Sequence, residues 1–169
     1  MADRLIASAN RQFFNEQALP KFISLLQTDA TILDIGVSQA WGDYYASLFK
    51  SFSYKTLDRN PDVGADIVYD IEKNDSFFNM YDAIIAMGTW EQATNPFKMF
   101  DGIYNSLKVG GLALFGVVGL GYPQYKTDRF RFTDVGFNEL LVGKYEVLDF
   151  NSIGGPIPEY YFYICRKKV

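Results

Sequence analysis

The sequence predicts an α/β fold built on a mostly parallel sheet of seven strands with helices on both faces. Two observations predict it. Short continuous apolar runs alternate with segments of helical periodicity, which is typical of a parallel sheet covered on both sides. The last two predicted strands follow each other without a helix, so we expect the final strand to run antiparallel at one edge. No repeat or linker divides the 169 residues, which predicts a single domain over residues 1–169.

The first predicted element is a helical segment at about residues 8–28, where Phe14, Ala18 and Phe22 recur at helical spacing. Pro20 lies inside this segment and indicates either a break or the first turn of a second helix. Seven short apolar runs follow along the chain and predict the strands. We place them at residues 31–35, 53–57, 65–69, 81–87, 112–118, 144–150 and 160–166.

Three further helices are predicted between these strands. The first covers residues 41–50, and the second covers about residues 95–107. We expect Gly110 and Gly111 to terminate the second helix, because glycine is the preferred residue just past a helix end. The third begins at Thr133 as its N-cap residue and runs to about residue 142.

Composition and charge exclude several classes of function. The formal net charge is −4 and the 16 Lys and Arg residues are dispersed, which disfavours a nucleic acid or an anionic membrane surface as partner. The longest apolar run, residues 112–120, is too short to span a bilayer. We interpret the high aromatic content, 17% of the residues, as core packing rather than as base stacking.

Cysteine and histidine usage narrows the chemistry further. The single cysteine, Cys165, cannot form an internal disulfide and fits a reducing compartment. The first ten residues lack the apolar region of a signal peptide, so we expect a cytoplasmic protein. The sequence has no histidine, which removes the commonest general base and the commonest zinc ligand. No metal site is predicted.

Acidic residues follow three of the predicted strands at the edge where ligands bind in open α/β sheets. Asp34 precedes Gly36, where a glycine either lets the backbone approach a ligand or serves only the turn. Asp58 follows the second strand and could accept hydrogen bonds from both hydroxyls of a ribose, or cap a surface turn. Asp70 and Ile71 follow the third strand, where an adenine amine and ring could be held.

With other motifs in the same order, these residues resemble class I S-adenosylmethionine-dependent methyltransferases over residues 31–142. Asp34 and Gly36 match the family's first motif, Asp58 its ribose-binding acid and Asp70 its adenine-side acid. Residues 81–87 resemble the fourth strand, residues 90–97 the Leu-Glu-His segment with its following Asn-Pro, and residues 106–111 the Leu-Lys-Pro-Gly-Gly turn. Residues 122–133 resemble the Pro…Asp-x-x-Arg-Phe-Thr segment of a small bacterial subgroup often linked with glycan or cell-envelope biosynthesis.

The resemblance implies a Rossmann-like class I methyltransferase fold with S-adenosylmethionine as cofactor, lying across the carboxyl ends of the first, second and fourth strands. It implies methyl transfer to a small-molecule or glycan-type acceptor, with a homodimer as one assembly state. The expected cofactor-binding residues are Asp34, Gly36, Ser38, Asp58, Arg59, Asp70, Ile71 and Met87.

Three positions depart from the family pattern and keep other functions open. Ser38 and Ala40 stand where the family commonly has glycines, and Gln92 replaces the usual histidine. A non-catalytic subunit or sensor that binds S-adenosylmethionine or S-adenosylhomocysteine is therefore the alternative. A nicotinamide-dependent oxidoreductase is disfavoured, because Ser38 and Trp41 interrupt the Gly-x-Gly-x-x-Gly spacing.

The candidate catalytic residues are Glu91, Asp128 and Arg131. Without histidine, a hydroxyl acceptor needs a carboxylate, a tyrosinate or a lysine as its base, and the two carboxylates follow the fourth and fifth strands. Arg131 could bind an acidic group of the substrate. We expect residues 121–133 to form a loop over the acceptor pocket. The alternative is that Asp128 and Arg131 pair with each other and, with the phenylalanines beside them, only fix this loop.

Overall fold

The computed structural model describes residues 10–36 and 42–169, which form one seven-stranded sheet with helices packed on both faces. The strand order is β3-β2-β1-β4-β5-β7-β6, and all neighbours are parallel except that β7 is antiparallel to β5 and β6. The strands are β1 (Thr31–Ile35), β2 (Ser53–Asp58), β3 (Ile67–Val68), β4 (Tyr81–Met87), β5 (Leu107–Val118), β6 (Tyr145–Gly154) and β7 (Pro158–Lys167). The predicted fold class is confirmed.

The final strand is antiparallel as predicted, but its expected place at the sheet edge was wrong. Strand β7 lies between β5 and β6, so β6 is the edge strand. Burial gives the reason: residues Tyr161–Cys165 of β7 are all at most 3% exposed, whereas β6 is mostly half-buried or exposed. The more apolar strand takes the interior position.

Two of the described helices begin at capping residues that the sequence signals. A π-helical turn, Phe14–Ala18, continues into α1 (Leu19–Ser24), and Pro20 lies in the first turn of α1. The others are α2 (Gly42–Leu48), α3 (Pro96–Ser106) and α4 (Asp134–Leu141), with 3-10 turns at Pro61–Val63, Ile71–Lys73 and Trp90–Gln92. Asn95 caps α3 by accepting from two backbone N–H groups, and the Thr133 hydroxyl caps α4 at 3.0 Å from the Gly136 nitrogen. No helix in these described stretches has the length and apolar character needed to cross a membrane.

The termination of α3 differs from the prediction. The helix stops at Ser106, and Gly110 and Gly111 belong to β5, inside an irregular stretch where the pairing passes from Tyr81–Leu107 to Ala83–Leu112. A lysine replaces glycine at the helix end: Nζ of Lys167 donates to the carbonyls of Tyr104 and Leu107, both at 2.7 Å. Since these carbonyls are satisfied by a cation, the helix needs no glycine after it.

Alternating side chains of the sheet fill two cores. Ile32 of β1 faces the N-terminal helical segment, while Leu33 faces α3 and α4. On the second face, Trp90 is fully buried, and its ring centroid lies 5.4 Å from that of Phe115 and 5.1 Å from that of Phe137. Burial of an aromatic residue of this size stabilises a fold by about 3–5 kcal/mol. The turn that follows β4 is therefore firmly anchored, and the candidate site is built on it.

Candidate functional site

A cavity of about 320 Å³ lies beyond the carboxyl ends of β1, β2, β3 and β4. This is the edge of an open parallel sheet at which ligands bind, and the volume is within the range of small-molecule sites. The structure brings six of the predicted cofactor-binding residues together here. The lining residues are Ile35, Gly36, Leu57, Asp58, Arg59, Tyr69, Asp70, Ile71, Glu72, Met87, Gly88, Thr89, Gln92, Ala93 and Met99.

Gly36 has a backbone conformation that the turn requires, and its approach to a ligand stays a prediction. Its φ of +89° disfavours any residue with a Cβ, and a Cβ at this position would lie 1.9 Å from Cγ2 of Thr89. Its N–H donates to the carbonyl of Leu57 at 2.9 Å, which extends the parallel pairing of β1 with β2 by one residue. The glycine is therefore required by the turn, and it also forms part of the cavity wall. Ser38, in the same loop, lies outside the described residues.

Asp58 and Asp70 occupy equivalent places at the ends of β2 and β3. Oδ1 of Asp58 accepts from the N–H of Asn60 at 2.8 Å, and Oδ1 of Asp70 accepts from the N–H of Glu72 at 3.1 Å. Each carboxylate is thus oriented by the turn that follows its strand. The bond at Asp70 uses only part of the accepting capacity of a carboxylate, so this group is suited to bind an amine as well.

Arg59 spans the cavity rim from the end of β2 to the turn after β4. Its Nη2 donates to the carbonyl of Gln92 at 2.8 Å, and its Nη1 donates to the Thr94 hydroxyl at 3.3 Å. Glu72 lies 3.7 Å from the guanidinium and accepts from the N–H groups of Thr94 and Asn95 at 2.7 and 2.8 Å. No sequence signal pointed to Glu72, because no motif connects it to residues about twenty positions later.

A second cavity, of about 430 Å³, shares part of its wall with the first. The shared residues are Gly36, Met87, Gly88 and Gln92. Aromatic residues from the N-terminal helical segment, α2, β2, β7 and the loop after β5 make up half of the rest. They are Phe14, Tyr45, Tyr54, Tyr122, Tyr125, Tyr160 and Phe162. Tyr122 and Tyr125 belong to the loop that the sequence analysis expected over the acceptor pocket. The other five were missed as site residues, because their side chains come from distant segments and were taken for core packing.

Asp34 lies on the wall of this second cavity, and the described wall of the first does not include it. Its side chain is buried, and the Tyr54 hydroxyl donates to Oδ2 at 2.6 Å. Burial raises the pKa of Asp34 to about 6, while the hydrogen bond from Tyr54 acts in the opposite direction. The role of Asp34 toward a cofactor stays a prediction.

Glu91 is a buried carboxyl group, 7% exposed, on the wall of the second cavity. Burial raises its pKa to about 7; the charge of Asp128 acts in the same direction and that of Arg131 against it. Its backbone carbonyl accepts from the N–H groups of Arg129 and Phe130, at 2.6 and 3.1 Å. Within the described residues its Oε2 has no hydrogen-bond partner. A carboxyl group in this state can exchange a proton near neutral pH.

Asp128 and Arg131 form an ion pair within the loop after β5. The Asp128 side chain is only 2% exposed, and it also accepts from the N–H of Tyr125 at 2.9 Å. Arg131 donates to the carbonyls of Gly119 and Pro123, at 3.2 and 3.0 Å. Neither residue belongs to the described wall of either cavity. This geometry favours the loop-fixing alternative, and a direct catalytic role for the pair stays a prediction.

Carboxylates of the site do not form a metal centre in the part of the chain that the structure describes, where no three His, Cys, Asp or Glu side chains are close enough to hold an ion.

Known proteins resemble this chain in structure rather than in sequence. No protein-family model and no curated protein matches the sequence. A methyltransferase structure described as S-adenosylmethionine-dependent, from Methanosarcina mazei, is 15% identical with a TM-score of 0.69, and the match covers 89% of this chain and 97% of that one. A chain of the complex between the Haloferax volcanii Trm112 methyltransferase activator and a methyltransferase is 14% identical with a TM-score of 0.73, covering 99% and 97%.

A third similar structure contains ligands. It is the 1,6-didemethyltoxoflavin-N1-methyltransferase of Burkholderia thailandensis with 1,6-didemethyltoxoflavin and S-adenosylhomocysteine bound. This protein is 16% identical with a TM-score of 0.65, and the match covers 97% of this chain and 84% of that one. Identities this low establish a shared fold and no more. The chain has the Rossmann-like fold of the S-adenosylmethionine-dependent methyltransferases.

Proposed function

We propose that this protein transfers the methyl group of S-adenosylmethionine to a small-molecule or sugar-containing acceptor. The observation that carries the proposal is the meeting of two cavities at Met87 and Gly88. One cavity has carboxylates at the ends of β2 and β3, and the other contains the buried carboxyl group of Glu91. A methyl donor and a methyl acceptor need such adjoining sites. The fold shared with methyltransferases supports the same proposal.

The residues of the first cavity fit S-adenosylmethionine. Asp58 would accept from the ribose hydroxyls, Asp70 from the adenine amine, and the backbone of Ile71 would meet the edge of the adenine ring. Gly36 keeps side-chain atoms away from the wall where the two cavities meet. When bound, the cofactor supplies a methyl group on a sulfonium, which is already a good leaving group. A bound structure with the adenine more than the width of a water from both Asp70 and Ile71 would contradict this assignment.

The chain's own contribution to the reaction is alignment and proton removal. Holding two reactants in an attacking geometry supplies much of the barrier reduction. Glu91 would receive the proton that the acceptor loses, because its carboxyl group faces the second cavity and titrates near neutral pH. Asp128 and Arg131 would act by holding the loop that covers Glu91.

Two finer assignments belong to the same proposal. The Asp-x-x-Arg-Phe-Thr segment supports membership in the small bacterial subgroup linked with glycan biosynthesis, since it includes the Asp128–Arg131 pair that fixes the loop. We also propose a cytoplasmic location, with a homodimer as one assembly state. Its one cysteine, Cys165, is a buried free thiol, which suits a reducing compartment.

The alternative is a subunit or sensor that binds the cofactor without catalysis. It is favoured by Gln92, which stands where a histidine is usual in methyltransferases and whose position borders both cavities. Glutamine cannot take up a proton at neutral pH, so this alternative assigns no base to that position.

Calorimetric titration with S-adenosylmethionine and S-adenosylhomocysteine, with NAD as competitor, tests the proposal. We expect both sulfur compounds to bind and NAD not to displace them. Failure of both to bind a folded protein would refute the cofactor assignment. Binding of S-adenosylmethionine with no conversion to S-adenosylhomocysteine in the presence of the acceptors tested would favour the sensor.

A further inference from the structure

The wall of the second cavity is suited to a flat ring. Seven of its described residues are aromatic, and each offers an apolar face or edge. The loop after β5 contributes Tyr122 and Tyr125 to this wall, whereas Asp128 and Arg131 are engaged with each other and with backbone groups. A sugar needs several directional polar partners around its ring. The two loop residues on this wall supply rings with a single hydroxyl each.

Two polar groups converge where the two cavities meet. Gly88, which belongs to both walls, has a φ of +61°. A Cβ on Gly88 would lie 3.1 Å from the Tyr160 hydroxyl and 3.5 Å from Oε1 of Glu91. The hydroxyl from β7 and the carboxyl group from the turn after β4 therefore approach the same point, beside the cavity assigned to the cofactor.

These two groups have opposite hydrogen-bonding roles. Burial, followed by the negative charge of Glu91, raises the pKa of Tyr160 well above its ordinary value, so its hydroxyl keeps its proton and can donate. Burial raises the pKa of Glu91 to about 7, so its carboxylate can accept a proton. The other charged or titratable groups that act on this pair are Asp128, Arg131, Tyr122 and Tyr45.

A donor beside a proton acceptor matches an oxygen nucleophile better than a nitrogen nucleophile. A hydroxyl oxygen has two lone pairs, so one can accept from Tyr160 while the other attacks carbon. A neutral amine has one lone pair, which a hydrogen bond from Tyr160 would occupy. Hydroxyl acidity narrows the class of acceptor further: a phenol ionises at a pKa of about 10, whereas water is a far weaker acid. Glu91 is a much better match for the phenol.

Resting on the proposed function, we infer that the acceptor is a flat aromatic ring with a phenol-type hydroxyl, and that Tyr160 is a second catalytic residue beside Glu91. The hydroxyl proton passes to the Glu91 carboxylate as the oxygen–methyl bond forms. The methyl–sulfur bond breaks, and its electron pair stays on sulfur. The products are an aryl methyl ether, S-adenosylhomocysteine and protonated Glu91. Tyr160 donates to the reacting oxygen throughout and is unchanged.

The experiment compares acceptors that differ in one property. The probes are 4-nitrophenol, which ionises near neutral pH, the less acidic 4-methylphenol, benzyl alcohol, benzylamine and methyl glucoside. Turnover is measured as release of S-adenosylhomocysteine. Binding of 4-nitrophenol to the complex of the protein with S-adenosylhomocysteine is followed by the absorbance of 4-nitrophenol, which reports whether its hydroxyl is protonated. We expect both phenols to be methylated and the other three to give no product.

Variants assign the roles. Glu91→Gln should lower kcat about 100-fold for 4-methylphenol, the scale of a lost general base, and much less for 4-nitrophenol, which needs no base. Tyr160→Phe should lower kcat about tenfold for both phenols, the scale of one hydrogen bond, and should shift the apparent pKa of bound 4-nitrophenol upward. The controls are Glu139→Gln on the exposed face of α4 and Tyr163→Phe, whose ring packs on the opposite face of the sheet.

Each contrary result overturns a stated part of the inference. Methylation of methyl glucoside or benzylamine in preference to the phenols refutes the acceptor class, as does binding of S-adenosylhomocysteine with no phenol bound or methylated. Equal losses for the two phenols in Glu91→Gln, or an unchanged spectrum of bound 4-nitrophenol in Tyr160→Phe, refute the residue roles. Failure to bind either sulfur compound refutes the proposed function instead.

Discussion

The buried carboxyl group of Glu91 should make the stability of this protein fall as pH rises. Its pKa is raised from 4.5 to about 7, chiefly by burial. A carboxyl group with a higher pKa in the folded state binds its proton more tightly when folded, so its stabilising effect is full below pH 4.5 and is lost as pH rises through about 7. At about 1.36 kcal/mol per pH unit, the loss is about 3 kcal/mol.

Glu91→Gln isolates this contribution. Glutamine does not titrate, so the free energy of unfolding of the variant minus that of the wild type should rise by about 3 kcal/mol between pH 4.5 and pH 8. Asp34, whose pKa of about 6 has the same sign of effect, is present in both proteins and cancels in the difference. The pH-independent cost of burying the amide also cancels.

Urea unfolding of both proteins across this pH range measures the difference directly. Tryptophan fluorescence is a suitable signal, since Trp90 is fully buried beside the turn that holds Glu91. Glu139→Gln, on the exposed face of α4, is the matched control and should give a flat difference. If the Glu91→Gln difference is equally flat, the Glu91 carboxyl group is not buried in solution, and its assignment as the base loses its physical ground.

Three further predictions address the rest of the site. Asp58→Ala should weaken S-adenosylhomocysteine binding by about 1.5–3 kcal/mol, the scale of hydrogen bonds to a charged group; unchanged calorimetric affinity would remove Asp58 from the site. Gly36→Ala should lower the free energy of unfolding by about 2–5 kcal/mol, because backbone strain adds to the overlap of the new Cβ with Thr89. Gly64→Ala has a similar positive φ but open space around it, so it should show the strain alone, at about 1–2 kcal/mol. Equal losses for the two variants in urea unfolding would contradict the overlap at Gly36. Asp128→Asn and Arg131→Lys should lower the melting temperature by several degrees while turnover per folded molecule holds; a fall in turnover at unchanged melting temperature would show instead that the pair contacts substrate.

The fold could be predicted where the sequence signal is local. Strands β1 and β4 were placed at their observed bounds, because a mainly apolar run of this length is sufficient to define a buried parallel strand. The N-caps Asn95 and Thr133 lie where capping chemistry puts them. The end of α3 was placed within one residue, but its termination was wrongly assigned to Gly110 and Gly111. The residue that satisfies its carbonyls, Lys167, is about sixty positions away along the chain.

The candidate site follows the same division. Asp58 and Asp70 could be located because each directly follows a strand, so topology alone carries them to one edge of the sheet. The aromatic wall of the second cavity could not, because residues as distant as Tyr54, Tyr122 and Tyr160 meet only after the sheet has formed with β7 in its interior. A pattern read along the chain contains no information about such contacts.

The loop after β5 contacts the backbone of Glu91 and holds this residue in place. Its Arg129 and Phe130 N–H groups hold the backbone carbonyl of Glu91, and the guanidinium of Arg129 donates to the carbonyl of Gln92 at 2.6 Å, the same oxygen that receives Arg59 from the cofactor side. A loop held in this way keeps water from a carboxyl group, and it is exclusion of water that brings a glutamate pKa close to neutral. A chain without histidine can therefore possess a base for neutral pH, because burial gives a carboxyl group the pKa that an imidazole has by its own chemistry.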